Sequence, residues 1–266
     1  MDFSTLYLLI FSLGLGISIL SGMVGIGGGI IMAPALLYIP PLLQVGQLDM
    51  KTVTGLTITQ GVFACLSGAF RHNKYKFVSR HLVFYMGIPI LIGASSGAVF
   101  SKYVREELLL ALFASLALVA AILMLIAREN ETNTNVPGNR GELVFSKPLA
   151  VMISLVTGFL VGMVGQGGSF ILIPLMLFVL NIPMRLALGS NLAIVSLSSL
   201  AGFVGKLSTG QVPFPLALAL IIGSLPGAQV GSFFSKQTNP STLKYLLALI
   251  VALAALRMWF QVLWGR

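Results

Sequence analysis

The chain has 266 residues, of which 57% are hydrophobic and 9% charged, with mean hydropathy +0.98 and a formal net charge of +9. A soluble domain carries roughly 25% charged residues, so this composition lacks the polar surface to cover a water-exposed fold and excludes a large soluble core. The positive charge sits mainly in short connectors between apolar runs, the pattern of membrane orientation rather than of nucleic-acid binding.

The first apolar run, Phe3–Leu20, follows Met1-Asp2 with no Lys or Arg and no convincing small-x-small cleavage site, so it is predicted to be a retained membrane segment. Further runs fall at about 30–43, 52–70, 82–101 and 107–127. The polar connector RENETNTNVPGNRGELVFSK (128–147) comes next, and then runs at about 149–163, 169–181, 186–205, 213–234 and 243–264. Crossing about 30 Å of hydrocarbon takes about 20 helical residues, and the runs at 30–43, 149–163 and 169–181 are shorter than that.

The two halves align with each other. Gly25 matches Gly165 and Pro34 matches Pro174 at an offset of 140. Lys51 and Arg185, Gly55 and Gly189, Gly93 and Gly227, and Lys102 and Lys236 match at an offset of 134. The change of offset places a longer connector in the first half, around 39–51. The predicted fold is therefore an all-α polytopic membrane protein of two repeats with five helical segments each: 1–127, a cytoplasmic linker at 128–148, and 149–266. An odd segment count turns the second repeat upside down relative to the first. Connector 71–80 carries Arg71, Lys74, Lys76 and Arg80, whereas its equivalent at 206–214 carries only Lys206. That asymmetry fits inversion and puts both termini outside the cytoplasm.

Residues 22–34, GMVGIGGGIIMAP, and 162–174, GMVGQGGSFILIP, break the apolar pattern at equivalent places. Each glycine inside a helix costs about 1 kcal/mol relative to alanine. In hydrocarbon, a helix break has to be buried in protein or line a wet cavity. Paired breaks in inverted halves point to a transporter's substrate site, formed by short broken or re-entrant helices. A new helix starts after each break, and its free N–H groups suit an anion. The candidate binding residues are Gly25, Gly27, Gly28 and Gly29 in the first break, and Gly165, Gln166, Gly167, Gly168 and Ser169 in the second. The helices that follow add Thr54, Thr57 and Gln60, and Ser190 and Asn191. Lys51 and Arg185 are candidates for attracting an anion at the two mouths, with interfacial snorkelling as the competing reading.

These paired motifs, with TGLT (54–57) and LGSN (188–191) after them, resemble the TauE/SafE sulfite exporter family, also called the toluene-sulfonate uptake permeases, over essentially the whole chain. The resemblance implies transport of sulfite, sulfonates or related sulfur-containing anions across a bacterial-type inner membrane. Gln166 opposite Ile26, and Ser190 opposite Leu56, make an asymmetric site the expectation.

Function is expected to be transport rather than catalysis, with no cofactor, no metal and no nucleic-acid partner. The bilayer and a small anion are the expected partners, and a homo-oligomer is compatible with the sequence. Export is the first reading; an anion channel with re-entrant pore segments and a sulfonate uptake permease are the alternatives. The single cysteine, Cys65, excludes an internal disulfide or thiol relay. A serine hydrolase built on Ser169 would need an imidazole at membrane depth, and His72 and His81 are read as lying in or beside the basic connector. None of the seven acids falls centrally in an apolar run, which leaves a carboxylate proton relay without residues.

Overall fold

The computed structural model describes residues 3–100, 103–126, 145–164, 169–208 and 212–264. Among the described residues there are ten helices, one for each apolar run of the sequence. They are α1 (Phe3–Val24), α2 (Gly29–Leu42), α3 (Met50–Lys74), α4 (Arg80–Phe100), α5 (Glu106–Ile126), α6 (Lys147–Val164), α7 (Ser169–Phe178), α8 (Met184–Ser208), α9 (Phe214–Gln237) and α10 (Pro240–Trp264). Five stretches are long and apolar enough to cross a membrane: Ser4–Val24, Thr52–Lys74, Met184–Val204, Phe214–Gln237 and Pro240–Arg257. With 14 and 10 residues, α2 and α7 are too short to span hydrocarbon unaided.

Small residues decide which helices meet. In α9, Gly223, Gly227 and Gly231 recur every fourth residue, and so share one face. That face lies on the α1 backbone: a Cβ on Gly223 would strike the Phe11 carbonyl, one on Gly227 that of Leu15, and one on Gly231 that of Ile19. Residue numbers rise together along the contact, so α1 and α9 run parallel. The same construction joins α4 to α6, where Gly93 faces the Leu155 carbonyl and Gly97 that of Phe159. Without a hydrophobic force between helices in lipid, such close backbone approach is what holds them. Gly231→Ala is therefore expected to cost about 1–3 kcal/mol by overpacking. A lowered melting temperature in detergent checks this; an unchanged one would mean that the α1–α9 contact yields freely.

At the centre, α3 and α8 run antiparallel. Lys206 lies beside Thr54, Ser199 beside Gly61, Leu192 beside Gly68, and Gly189 against the Phe77 carbonyl. Both helices are largely buried, whereas α10 shows Leu249, Leu253 and Leu256 on its outside. One apolar core lies among α1, α2, α3 and α9 and includes Ile10, Met32, Leu36, Val53 and Leu220. A second lies among α4, α6, α7 and α8 and includes Ala150, Leu172, Met176, Ala187 and Met86.

One expectation about a connector is corrected. Helix α3 continues through Lys74, so the connector expected at 71–80 shrinks to 75–79, and His72 is a fully buried helix residue rather than part of a loop. The basic side chains at this helix end stack on aromatic rings, Lys74 over Phe70 and Arg71 over Tyr75 and Phe233, so their charge did not require the helix to stop.

Candidate functional site

The first glycine break lies inside the bundle. Helix α1 ends at Val24 and α2 begins at Gly29, and every residue from Val24 to Ile30 is buried. Gly25, Gly27 and Gly28 adopt φ of 73°, 68° and 75°, the left-handed region that only glycine enters without strain. This answers why the sequence spends glycine here: three left-handed steps in four residues turn the chain sharply without side chains.

Two backbone groups at the turn are held, one by α1 itself and one from another helix. The Gly25 N–H donates to the Ser21 carbonyl at 2.7 Å, closing α1. The Gly25 carbonyl accepts from Asn191 Nδ2 of α8 at 2.7 Å. A buried carbonyl with no donor costs about 1–3 kcal/mol, so Asn191→Leu is expected to destabilise the protein by that amount. Asn191→Asp is expected to do so too, because a carboxylate only accepts. Thermal unfolding of both variants in detergent is the check; wild-type stability in both would show that Asn191 does not hold the turn.

The other side of the turn is bare. Gly28 is the N-cap of α2 and supplies no side-chain cap. The first helical bonds run from the Ile31 and Met32 N–H groups to the Gly28 carbonyl, at 3.1 and 2.9 Å. The N–H groups of Gly29 and Ile30 therefore have no partner within α2, as at any uncapped helix start. Against Gly28 lies the Gln60 carboxamide of α3, fully buried. Its Nε2 donates to Ser18 Oγ at 3.1 Å, using one of two N–H groups, and its Oε1 has no partner among the described residues. Ser21 Oγ nearby in sequence is likewise buried and unpartnered among the described residues.

The remaining residues singled out by the sequence are placed elsewhere or used locally. Thr57 Oγ1 donates to the Val53 carbonyl of its own helix at 2.8 Å. Ser190 Oγ accepts from the Ser79 N–H at 2.9 Å, tying α8 to the start of α4. Thr54 Oγ1 accepts from Lys206 Nζ at 3.3 Å. Arg185 donates to the Lys236 and Thr238 carbonyls at 2.9 and 3.3 Å and stacks over Phe77 at 5.3 Å. It thereby covers the C-terminus of α9, where a cation meets the negative end of the helix dipole. The backbone of Lys51 lies in the first turn of α3. The second break at Gly165, Gln166, Gly167 and Gly168 lies outside the described residues, and Ser169 opens α7 directly after it. Among the described residues, no group of three or more His, Cys, Asp or Glu is arranged to hold a metal ion.

His72 was missed by sequence reasoning. Its Nε2 lies 3.1 Å from the Gly22 carbonyl, three residues before the turn. A helical step on from Gly68 would have found it, because positions 68 and 72 lie one turn apart on the same side of α3.

Among the described residues, ten helices, five of them long and apolar enough to span, mark a multi-pass helical membrane protein in which a broken helix pair meets inside the bundle. Residues 10–258 match the sulfite exporter TauE/SafE family model, and the chain belongs to that family. It is similar to the probable membrane transporter protein YunE of Bacillus subtilis, with 25% identity over 276 residues, covering 96% of this chain and 98% of the relative. The probable membrane transporter protein YdhB of the same organism is 27% identical, with 92% and 96% covered. The probable membrane transporter protein MJ0441 of Methanocaldococcus jannaschii is 25% identical, with 97% of each chain covered. No solved structure matches the chain.

Proposed function

We propose that this protein exports sulfite, an organosulfonate or a related small sulfur-containing anion by alternating access around the glycine breaks. The observation that carries this reading is the uncapped, buried start of α2 at Gly28, where the N–H groups of Gly29 and Ile30 have no partner within α2 and one Gln60 N–H beside them has none among the described residues. Oriented amides in a low-dielectric site bind an anion without adding a fixed charge to the membrane interior. The turn is closed to solvent in this structure, so binding requires the helices over it to part.

Contacts that repeat at the sequence offsets between the halves support alternation. Under the sequence offsets, the α1–α9 contact is equivalent to α6–α4. The glycine pairs obey this: Gly22 lies against the Ala228 carbonyl and Gly162 against that of Ala94. The two cores obey it as well, Met32 corresponding to Leu172, Leu36 to Met176 and Leu220 to Met86. Equivalent helices α3 and α8 point in opposite directions, which is the relation inverted repeats require. On this reading residues 1–127 and 149–266 are the repeats, 128–148 is the cytoplasmic linker, and both termini lie outside. On the same reading the second break, with Gln166 and Ser169, is the first break's counterpart by its sequence offset, and Lys51 with Arg185 marks the two mouths.

A thermal-shift screen of the purified protein against sulfite, sulfate, thiosulfate, taurine and short alkylsulfonates tests the reading. An anion present at a hundred times its Kd raises stability by about 2.7 kcal/mol. Failure of every sulfur-containing anion to raise the melting temperature would end the proposal. Vesicle flux in both directions then separates export from uptake.

A further inference from the structure

The break makes a demand on the helix that ends there. Because α1 stops at Val24, the carbonyls of Gly22, Met23 and Val24 lose the donors that a continuing helix would supply. Ser21 is served by the Gly25 N–H. Gly22 is served from outside: His72 Nε2 of α3 lies 3.1 Å from its carbonyl, and Ser232 Oγ of α9 lies 3.4 Å from it. A carbonyl only accepts, so Nε2 carries the hydrogen and Nδ1 the lone pair. Nδ1 is buried and has no partner among the described residues. The imidazole is therefore placed for what Nε2 does.

Gly22 is also the point where α1, α3 and α9 converge. A Cβ on it would strike the Ala228 carbonyl of α9, and Gly68 of α3 faces its Cα. Three residues further along, the Gly25 carbonyl takes Asn191 of α8. The ordinary helix register is thus replaced, on either side of the turn's first step, by donors from two different helices.

We infer that His72 is a positioning residue for transport: its Nε2–H stands in for the missing helix donor at Gly22 and fixes the Gly25–Gly28 turn between α3 and α9. This rests on the reading of that turn as the anion site. His72 touches no substrate; it acts through the α1 end that carries the turn. Without it, the turn loses the nearer of the two side chains at the Gly22 carbonyl, and the N–H groups of Gly29 and Ile30 no longer converge with Gln60.

Three variants isolate the atom responsible. His72→Gln carries an N–H at about the reach of Nε2, His72→Asn one at the reach of Nδ1, and His72→Leu none. Hydrogen exchange on the purified full chain is expected to accelerate about tenfold over residues 22–31 in H72N and H72L, the factor a lost buried hydrogen bond is worth, and to stay at the wild-type rate in H72Q. Exchange in α5 and α10 is expected to be unchanged. With sulfite as probe in proteoliposomes, half-saturation is expected to rise in H72N and H72L by about fivefold or more and to return in H72Q. Equal exchange over the turn in all four proteins overturns the inference. So does acceleration spread along the whole chain, or exchange that follows this pattern while half-saturation stays constant. If the wild type shows no saturable sulfite flux, the sulfite assignment fails, and the exchange pattern still upholds or rejects His72 as the anchor of the turn.

Discussion

Gly28→Ala is expected to reduce transport by at least about tenfold, whereas Gly16→Ala, the same change earlier in α1, leaves it intact. At Gly28 the backbone sits at φ 75° and ψ −15°. An L-residue there pays about 1–2 kcal/mol for the left-handed conformation alone. The added methyl also lands on the Gln60 carboxamide, 2.7 Å from Oε1 and closer still to Nε2. Gln60 is anchored on Ser18 of α1, so it withdraws only by giving up that bond. Either α2 shifts at its first turn or Gln60 leaves the turn, and both changes undo the convergence of donors. A loss of tenfold corresponds to only about 1.4 kcal/mol, less than these combined costs. Gly16 has nothing within 4 Å of its Cβ position. Alanine there removes the helix penalty of glycine, roughly 0.5–1 kcal/mol, and is expected to raise stability slightly. Efflux from proteoliposomes and melting in detergent, measured on both variants, decide the matter. Wild-type flux in Gly28→Ala would remove the turn from the transport path.

What could be read from the sequence follows from which physical signals are local. Helix number and order follow from apolar run length, and the α1–α9 and α4–α6 pairings are foreshadowed by glycines four apart that also match between the halves. The glycine break announced its own turn, because GIGG has few other uses in an apolar segment. Side-chain partners were harder, because they depend on which helix lies opposite. Asn191 reads as a candidate binding residue, but nothing local says that its Nδ2 donates to the Gly25 carbonyl. Arg185 reads as a cation at a mouth of the site or at the membrane interface, and nothing local says that it serves the far end of α9. His72 was hidden by its neighbours: Arg71, Lys74 and Lys76 look like a loop, yet long side chains stacked on aromatics let the helix run on beneath them.

Outward flux of the anion is expected to respond steeply to voltage at equal pH on both sides. Moving one elementary charge through 100 mV is worth about 2.3 kcal/mol, which supports roughly fortyfold accumulation at about 1.4 kcal/mol per tenfold. The distribution of ionisable groups is the reason to expect voltage rather than a proton gradient to drive the movement. The five candidate spans contain no Asp or Glu. Asp49 precedes α3, and Glu106 and Glu107 open α5, so a carboxylate relay has no residue within those spans. His72 is the buried exception, but its Nε2–H is committed to the Gly22 carbonyl, and its Nδ1 is buried with no partner among the described residues to exchange a proton with. An anion bound by neutral amides adds its own charge to the moving complex, and no acidic side chain in those spans is there to carry a compensating proton with it. The potential therefore acts on the bound solute itself. Proteoliposomes loaded with sulfite and clamped by a potassium gradient with valinomycin test this directly. An interior-negative potential should accelerate efflux and an interior-positive one should slow it. Flux that ignores the clamp but follows a pH difference would mean that the anion crosses with a compensating proton, and the amide-only account of the site would then lack the group that carries it.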